Sequence, residues 1–331
     1  MNEQADRKNV FILGATGYIG SRVLDVLLST RKDLQVVALT RRAEAGKALE
    51  KKGVVPVMGD LLQPGKWQEA ARSADYIIDV AQPAAFDERA THKFGLKYQN
   101  ERLAQDKALF RILDPNAKQR ILYVSGHSYF GETGRDKRGD ETMTPRPMGF
   151  GPYIVDAVEN VRREVARGLD IISVYPGAVY AYGSWTKMYV IDRLRDDKKL
   201  MAMPGESALC SPIHVRDTAR AIVHLLGLSN DRVAALGRDF LLVDDKPVSY
   251  AQMNEAFAQA MGKNVRYMKV PGFLAKLMMG SITYEYQTSN CAYDNHRLHQ
   301  TGFTFEYPTI ETGTRQVVAD ARQEWQRTNA T

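Results

Sequence analysis

The stretch Asn9-Val10-Phe11-Ile12-Leu13-Gly14-Ala15-Thr16-Gly17-Tyr18-Ile19-Gly20 decides how this chain folds. Its first five residues form an apolar run of strand length. From Tyr18 to Ser29 the pattern changes, with Ile19, Val23, Val26 and Leu27 falling on one helical face. Between the two lies a glycine-rich turn. Glycine there permits a tight bend, a close backbone approach to a ligand and close packing of helix on strand. The helix start presents free N–H groups and the positive end of its dipole, which suit a pyrophosphate. Gly14, Thr16, Gly17, Tyr18, Ile19 and Gly20 are therefore candidate dinucleotide contacts.

Outward from this point the first half keeps alternating. Strands are predicted over Leu34–Thr40, Val54–Met58, Tyr76–Ala81, Arg120–Ser125 and Ile171–Tyr175, with helices near 43–51, 64–72, 97–113 and 151–167. Near-continuous hydrophobicity suits strands buried on both faces of a parallel sheet. After Pro176 the alternation gives way to a stretch rich in Gly, Tyr, Trp and Met. It returns at Pro212–Leu226 and Asp239–Val243, and Ser249–Met261 is again amphipathic. The expected fold class is α/β, a doubly wound parallel sheet with a smaller C-terminal lobe. The expected division is 1–177 plus about 212–246, against about 178–211 plus 247–331.

The second strand ends in Thr40-Arg41-Arg42. An enzyme using NAD places Asp or Glu there for the ribose 2′-hydroxyl, whereas a cation suits the 2′-phosphate of NADP. Arg41, whose fork can make two charge-assisted bonds to a phosphate, is the first candidate and Arg42 the second. NADP(H) is accordingly expected over NAD(H).

Composition excludes several classes. The net charge of +6 is spread along the 331 residues, and Arg41-Arg42 and Lys51-Lys52 are too short for a nucleic-acid tract. The two cysteines, Cys210 and Cys291, have no metal-ligand spacing and read as buried thiols in a reducing compartment. His296 and His299 share a helix face without a third ligand, so no metal is expected. The start, MNEQADRKNV, holds no apolar core of signal-peptide length, and no run is long enough for a membrane span. A cytoplasmic protein acting on a small molecule is the expectation.

Taken together, these segments resemble the extended short-chain dehydrogenase/reductase superfamily, in its epimerase/dehydratase-like form. Gly14–Gly20 resembles its GxxGxxG fingerprint. Gly59-Asp60-Leu61 looks like its adenine-contacting element, and Ala81-Gln82-Pro83 lies where its fourth strand passes the cofactor. Tyr123-Val124-Ser125-Gly126 resembles the end of its fifth strand. Tyr175-Pro176-Gly177-Ala178-Val179-Tyr180 resembles its RPGxVYG loop, with Tyr175 in place of the arginine, and Ile213–Ala219 resembles its hVxDvA element. The resemblance implies a Rossmann-type N-terminal lobe for cofactor and a C-terminal lobe for substrate. It adds Asp60, Leu61, Ala81, Gln82, Tyr153, Pro176, Gly177 and Val179 to the cofactor contacts. It also implies that helices 97–113 and 151–167 are where a homodimer would form.

The same resemblance implies a catalytic Ser after the fifth strand and a Tyr-x-x-x-Lys pair on the next helix. Here the Tyr position is Tyr153, but Ala157 stands where the Lys belongs, and the Ser position falls on Gly126, with Ser125 before it and Ser128 after. The site is atypical. Without the cation, Tyr153 should stay near its reference pKa of about 10 and keep its proton. A neutral phenol can donate to a developing alkoxide or enolate but is a poor base, so the chemistry leans toward reduction. His127 is a candidate acid or hydrogen-bond donor. The branch holding progesterone 5β-reductase and iridoid synthase is similar in keeping the Tyr, but carries a lysine after the fifth strand where His127 and Ser128 stand here. Tyr180, Tyr182 and Trp185, with Met188, Met201 and Met203, are candidates to line an apolar substrate pocket.

Three readings follow. The first is an NADPH-dependent reductase of a small, fairly apolar carbonyl or conjugated alkene. The second is a non-redox isomerase, dehydratase or cyclase on the same scaffold. The third is a non-catalytic NADP sensor similar to the NmrA-like branch.

Overall fold

A computed structural model describes residues 7–83, 89–202 and 207–329. Seven parallel strands form the central sheet, in the order β3-β2-β1-β4-β5-β6-β11. They are β1 (Lys8–Leu13), β2 (Leu34–Thr40), β3 (Val55–Met58), β4 (Tyr76–Asp79), β5 (Arg120–Val124), β6 (Asp170–Pro176) and β11 (Asp239–Leu242). The helices between the first six are α1 (Tyr18–Thr30), α2 (Ala43–Glu50), α3 (Trp67–Ser73), α4 (His92–Phe110) and α5 (Val155–Arg167). Successive side chains of a strand point to opposite faces. Val10, Ile12, Ile78, Leu122 and Ile172 therefore pack with α1 residues Val23, Leu24 and Leu27, while Phe11, Leu13, Ile77, Ile121 and Ile171 pack with Leu109, Phe110 and Val161 from α4 and α5.

β1 pairs with both β2 and β4, so the chain winds away in one direction and then the other. The ends of β1 and β4 are the point where strand order reverses, and the crevice outside such ends is where this architecture binds ligands. The glycine-rich turn lies there.

The second lobe is assembled from short pieces: β7 (Ala178–Tyr180), α6 (Asp192–Arg195), β8 (Leu200–Ala202), β9 (Leu209–Cys210), β10 (Pro212–His214), β12 (Val248–Ser249), α9 (Tyr250–Met261) and β13 (Tyr267–Lys269). Helices α10 (Gly272–Met279), α11 (Ser281–Thr288) and α13 (Ile310–Asn329) complete it, while α12 (His296–Gln300) packs on the main sheet. The pairs β12–β9 and β13–β8 stitch the stretch around 200–210 to the chain beyond 247. α7 (Val215–Leu226) and α8 (Asn230–Leu236) lie between, on the main sheet. Leu298 and Phe303 then return to the core of the first lobe.

Several expectations are corrected. β3 is an edge strand, not one buried on both faces, and Val55 is 42% and Met58 49% exposed. α4 begins at His92 rather than 97, capped by the Thr91 side chain. The helix expected over 151–167 is broken: Gly151–Tyr153 is a single 3-10 turn with Pro152 in it, and α5 starts at Val155. Tyr153 thus stands just ahead of the helix that carries Ala157. Met203 lies outside the described residues. Among the described residues no helix is long and apolar enough to cross a membrane, and no cluster of His, Cys, Asp or Glu could hold a metal ion.

Candidate functional site

The turn after β1 is built around Gly14, whose φ of +82° lies in the left-handed region. A Cβ there would come within 2.8 Å of the Ala81 backbone at the end of β4, so only glycine lets the two strand ends approach. A Cβ on Gly20 would overlap the Gly14 carbonyl, so α1 too lies tight against the turn. No side chain caps α1 and its first turn holds no acidic residue. The N–H groups at its start are left for a ligand. The side chains of Tyr18 and Ile19 pack away from the turn, on the second lobe's core.

Arg41 and Arg42 are exposed at the end of β2, and neither pairs with a carboxylate among the described residues. They are free to meet a phosphate. Asp60 spends one carboxylate oxygen on the Leu62 N–H at 2.9 Å, shaping its own turn, and Leu61 is buried in the core. Gln82 donates from Nε2 to the Val124 carbonyl at 3.4 Å and accepts from the Tyr98 hydroxyl, which fixes its amide beside the ends of β4 and β5.

Behind these strand ends lies a buried polar network that the sequence reading missed. Arg102 of α4 bonds Asp79 at 3.0 Å, the Tyr123 hydroxyl at 3.0 Å and the Ala81 carbonyl, and lies 3.2 Å from Asp106. Tyr123 donates to Asp106 at 2.8 Å. Burial raises both carboxyls, Asp106 to about 7, because two acids share one cation away from water. Arg102 and Asp106, four apart on a helix, with Asp79 in an apolar strand, were the signal available.

Ser125 follows β5 with its N–H bonded to the Val174 carbonyl at 2.9 Å, and Ser128 is buried three residues later. His127 is buried between the rings of Tyr286 and Tyr293, with centroids 5.4 and 5.5 Å away. Its Nδ1 lies 2.9 Å from the Pro176 carbonyl. A carbonyl only accepts, so Nδ1 carries the proton and Nε2 is left as an acceptor. Nε2 is buried with no partner among the described residues. Burial pushes the imidazole down to about 4, which keeps it neutral. His127 is therefore not the acid that its position suggested; a ligand N–H or O–H could satisfy it.

Tyr153 has a different partner from the one expected. Its hydroxyl lies 2.8 Å from Nδ1 of His92, the first residue of α4, and not against Ser125, His127 or Ser128. Ala157 is buried and supplies no cation. Burial first, and the charge of Glu285 on α11 second, raise the phenol above its ordinary value, so it sits above rather than at the reference and stays protonated. On the other side of the crevice Gly177 follows Pro176, and Val179 accepts from the Trp185 indole at 3.1 Å. Tyr180 is fully buried and bonds Asp244 at 3.3 Å, while Tyr182 and Trp185 are half-buried. Tyr180 is thus a core residue supporting this wall, and Met188 is exposed.

Comparison with known proteins agrees with this layout. The profile of the NAD dependent epimerase/dehydratase family matches residues 10–236. A 2-alkyl-3-oxoalkanoate reductase from Shewanella oneidensis is 23% identical over 299 residues, 85% of this chain and 73% of its own. A decarboxylating sterol-4-alpha-carboxylate 3-dehydrogenase from Dictyostelium discoideum is 34% identical over 74 residues, 22% of each chain. Among solved structures, UDP-glucuronic acid 4-epimerase from Bacillus cereus, with NAD, superposes with a TM-score of 0.77 at 15% identity, covering 95% of this chain and 99% of the other. A human epimerase family protein with NADPH gives 0.73 at 17% identity, covering 93% and 98%.

Proposed function

This chain belongs to the NAD dependent epimerase/dehydratase family, and from that premise we propose that it is an NADPH-dependent reductase of a small, fairly apolar carbonyl or conjugated alkene, with Tyr153 as proton donor. The observation that carries the reading is the state of that phenol. It is half-buried, raised by burial and by Glu285, and Ala157 rather than a lysine stands four residues on. Such a group gives up a proton to an oxygen or carbon gaining negative charge and is ill suited to removing one from an alcohol.

The residues present fit a nicotinamide dinucleotide. The backbone at Gly14–Gly20 would hold the pyrophosphate, because the close approach of Gly14 to Ala81 and the uncapped start of α1 make an anion-binding concavity. When bound, the nicotinamide supplies the hydride. Arg41, with Arg42, would pair with a 2′-phosphate, which favours NADP(H) over NAD(H). Pro176, Gly177 and Val179 form the wall facing the strand ends, with the His127 acceptor immediately behind Pro176. The name of the Shewanella oneidensis relative adds weight to a ketone as the reacting group.

NADPH consumption, followed by absorbance across a panel of apolar ketones and enones, tests this reading. Tyr153→Phe is expected to slow the active pair by on the order of 10²-fold or more. An unchanged rate removes Tyr153 from the mechanism. Product that forms with no net loss of NADPH indicates isomerase or dehydratase chemistry instead.

A further inference from the structure

With Ala157 in place of a lysine, the phenol of Tyr153 needs another group to orient it and to return the proton it gives up. We propose that His92, the first residue of α4, does both by hydrogen-bonding the hydroxyl of Tyr153 and relaying a proton to it from solvent. The inference rests on the reading of Tyr153 as donor and adds the residue that serves it.

Geometry carries the argument. His92 Nδ1 lies 2.8 Å from the Tyr153 hydroxyl, with the two rings tilted at 56° and 5.8 Å between centroids. One turn on, Gly95 forms the surface on which the phenol ring rests, and a Cβ there would stand 2.5 Å from ring carbons. The helix carrying the histidine therefore also sets the height of the ring. His92 itself is exposed, so its outer nitrogen meets water. Thr91 caps the helix through the Phe94 N–H and anchors the turn.

The charges around the pair explain why a relay is needed. Glu285 from α11 opposes the phenolate. Asp156 at the start of α5 is also acidic, and its carboxylate is engaged by Gln99 of α4 at 2.6 Å. A phenolate here lacks the stabilisation a lysine would give, so it must be quenched promptly. With Nδ1 protonated, His92 donates to the phenol oxygen and leaves the phenol O–H free for substrate. As hydride adds to the substrate carbonyl carbon, the Tyr153 O–H bond breaks and the substrate O–H bond forms. The Nδ1 proton then moves to the phenolate while the outer nitrogen takes one from water, and exchange of the ring protons with solvent returns the imidazole to the Nδ1-protonated form before the next turnover. Net, one hydride from the nicotinamide and one proton from solvent are consumed.

Two measurements on the full chain test this. The first needs no turnover: tyrosine labelled with ¹³C at Cζ, with the Tyr153 resonance assigned by Tyr153→Phe. In His92→Phe, where the phenol oxygen loses its ring-nitrogen partner, that resonance should move from its native position by more than its linewidth. The second uses 1-phenyl-1,2-propanedione, or the most active panel ketone, with NADPH. His92→Ala should lower kcat by on the order of 10-fold or more with KM little changed. Free imidazole should restore part of the rate, and the double variant with Tyr153→Phe should be no slower than Tyr153→Phe alone. A Tyr153 resonance unmoved by His92→Phe, or a His92→Ala enzyme at full rate, overturns the proposal. A protein whose resonance moves in His92→Phe but which reduces no ketone retains the pair and loses the reductase reading.

Discussion

Ala157 shows what one residue can remove from a site and what it cannot restore. The sequence made the absence of a lysine plain, since the spacing from Tyr153 is fixed along the chain. It could not show where the phenol turns instead, because His92 lies 61 residues earlier and meets it only through the packing of α4 on α5. Nor could it show that His127 is a buried acceptor, since its proton is placed by a carbonyl 49 residues away. Returning the lysine should not rebuild the familiar pair. Ala157 is 2% exposed, and the phenol is already engaged by His92. Ala157→Lys is expected to destabilise the fold by about 2 kcal/mol or more by burying an unpaired charge, read from urea unfolding, and to yield no alcohol-driven reduction of NADP⁺. A stable variant that gains alcohol oxidation would show that Tyr153 faces that position after all.

At the scale of elements, the strands were legible and so were the starts of α1 and α2, but the starts of α4 and α5 were not. Near-continuous apolar runs mark β1, β2, β5 and β6 within a residue or two, because nothing else in a soluble chain needs them. α4 hides its beginning. Its buried side carries Arg102 and Asp106 among apolar residues, which blurs the apolar stripe that normally announces a helix. That network ties α4 to β4 and β5 directly behind the cofactor crevice, and its titration has a sign opposite to that of most carboxylates. Asp106 is raised to about 7 when folded, against about 3.9 unfolded. The folded state therefore holds the proton more tightly, and the stability it contributes is present below about pH 4 and lost as pH rises through about 7. Asp106→Asn should flatten that slope between about pH 4 and 7 in urea unfolding, whereas Arg102→Met should cost about 3–5 kcal/mol by stranding two buried acids. An unaltered slope in Asp106→Asn would place the shared proton elsewhere.

Over the whole molecule, the order of motifs along the chain made the seven-stranded sheet readable, and the second lobe resisted. Its sheets join strands of two or three residues from distant segments, such as Val248–Ser249 with Leu209–Cys210, too short to carry any periodicity. Tyr180 read as pocket-lining for the same reason: an aromatic in an irregular stretch looks identical whether it faces a ligand or, as here, the buried carboxylate of Asp244. The turn after β1 was legible, because its glycines are demanded by the close approach of β1, β4 and α1 that the pattern predicts. The account depends on the cofactor end. Titration calorimetry of the pure protein with NADPH and NADH tests it most directly. One NADPH should bind per chain, at least about 10-fold more tightly than NADH, and Arg41→Ala should erase most of that difference, worth about 1.4 kcal/mol or more. Absence of heat with either nucleotide, or equal affinity for both, would contradict it.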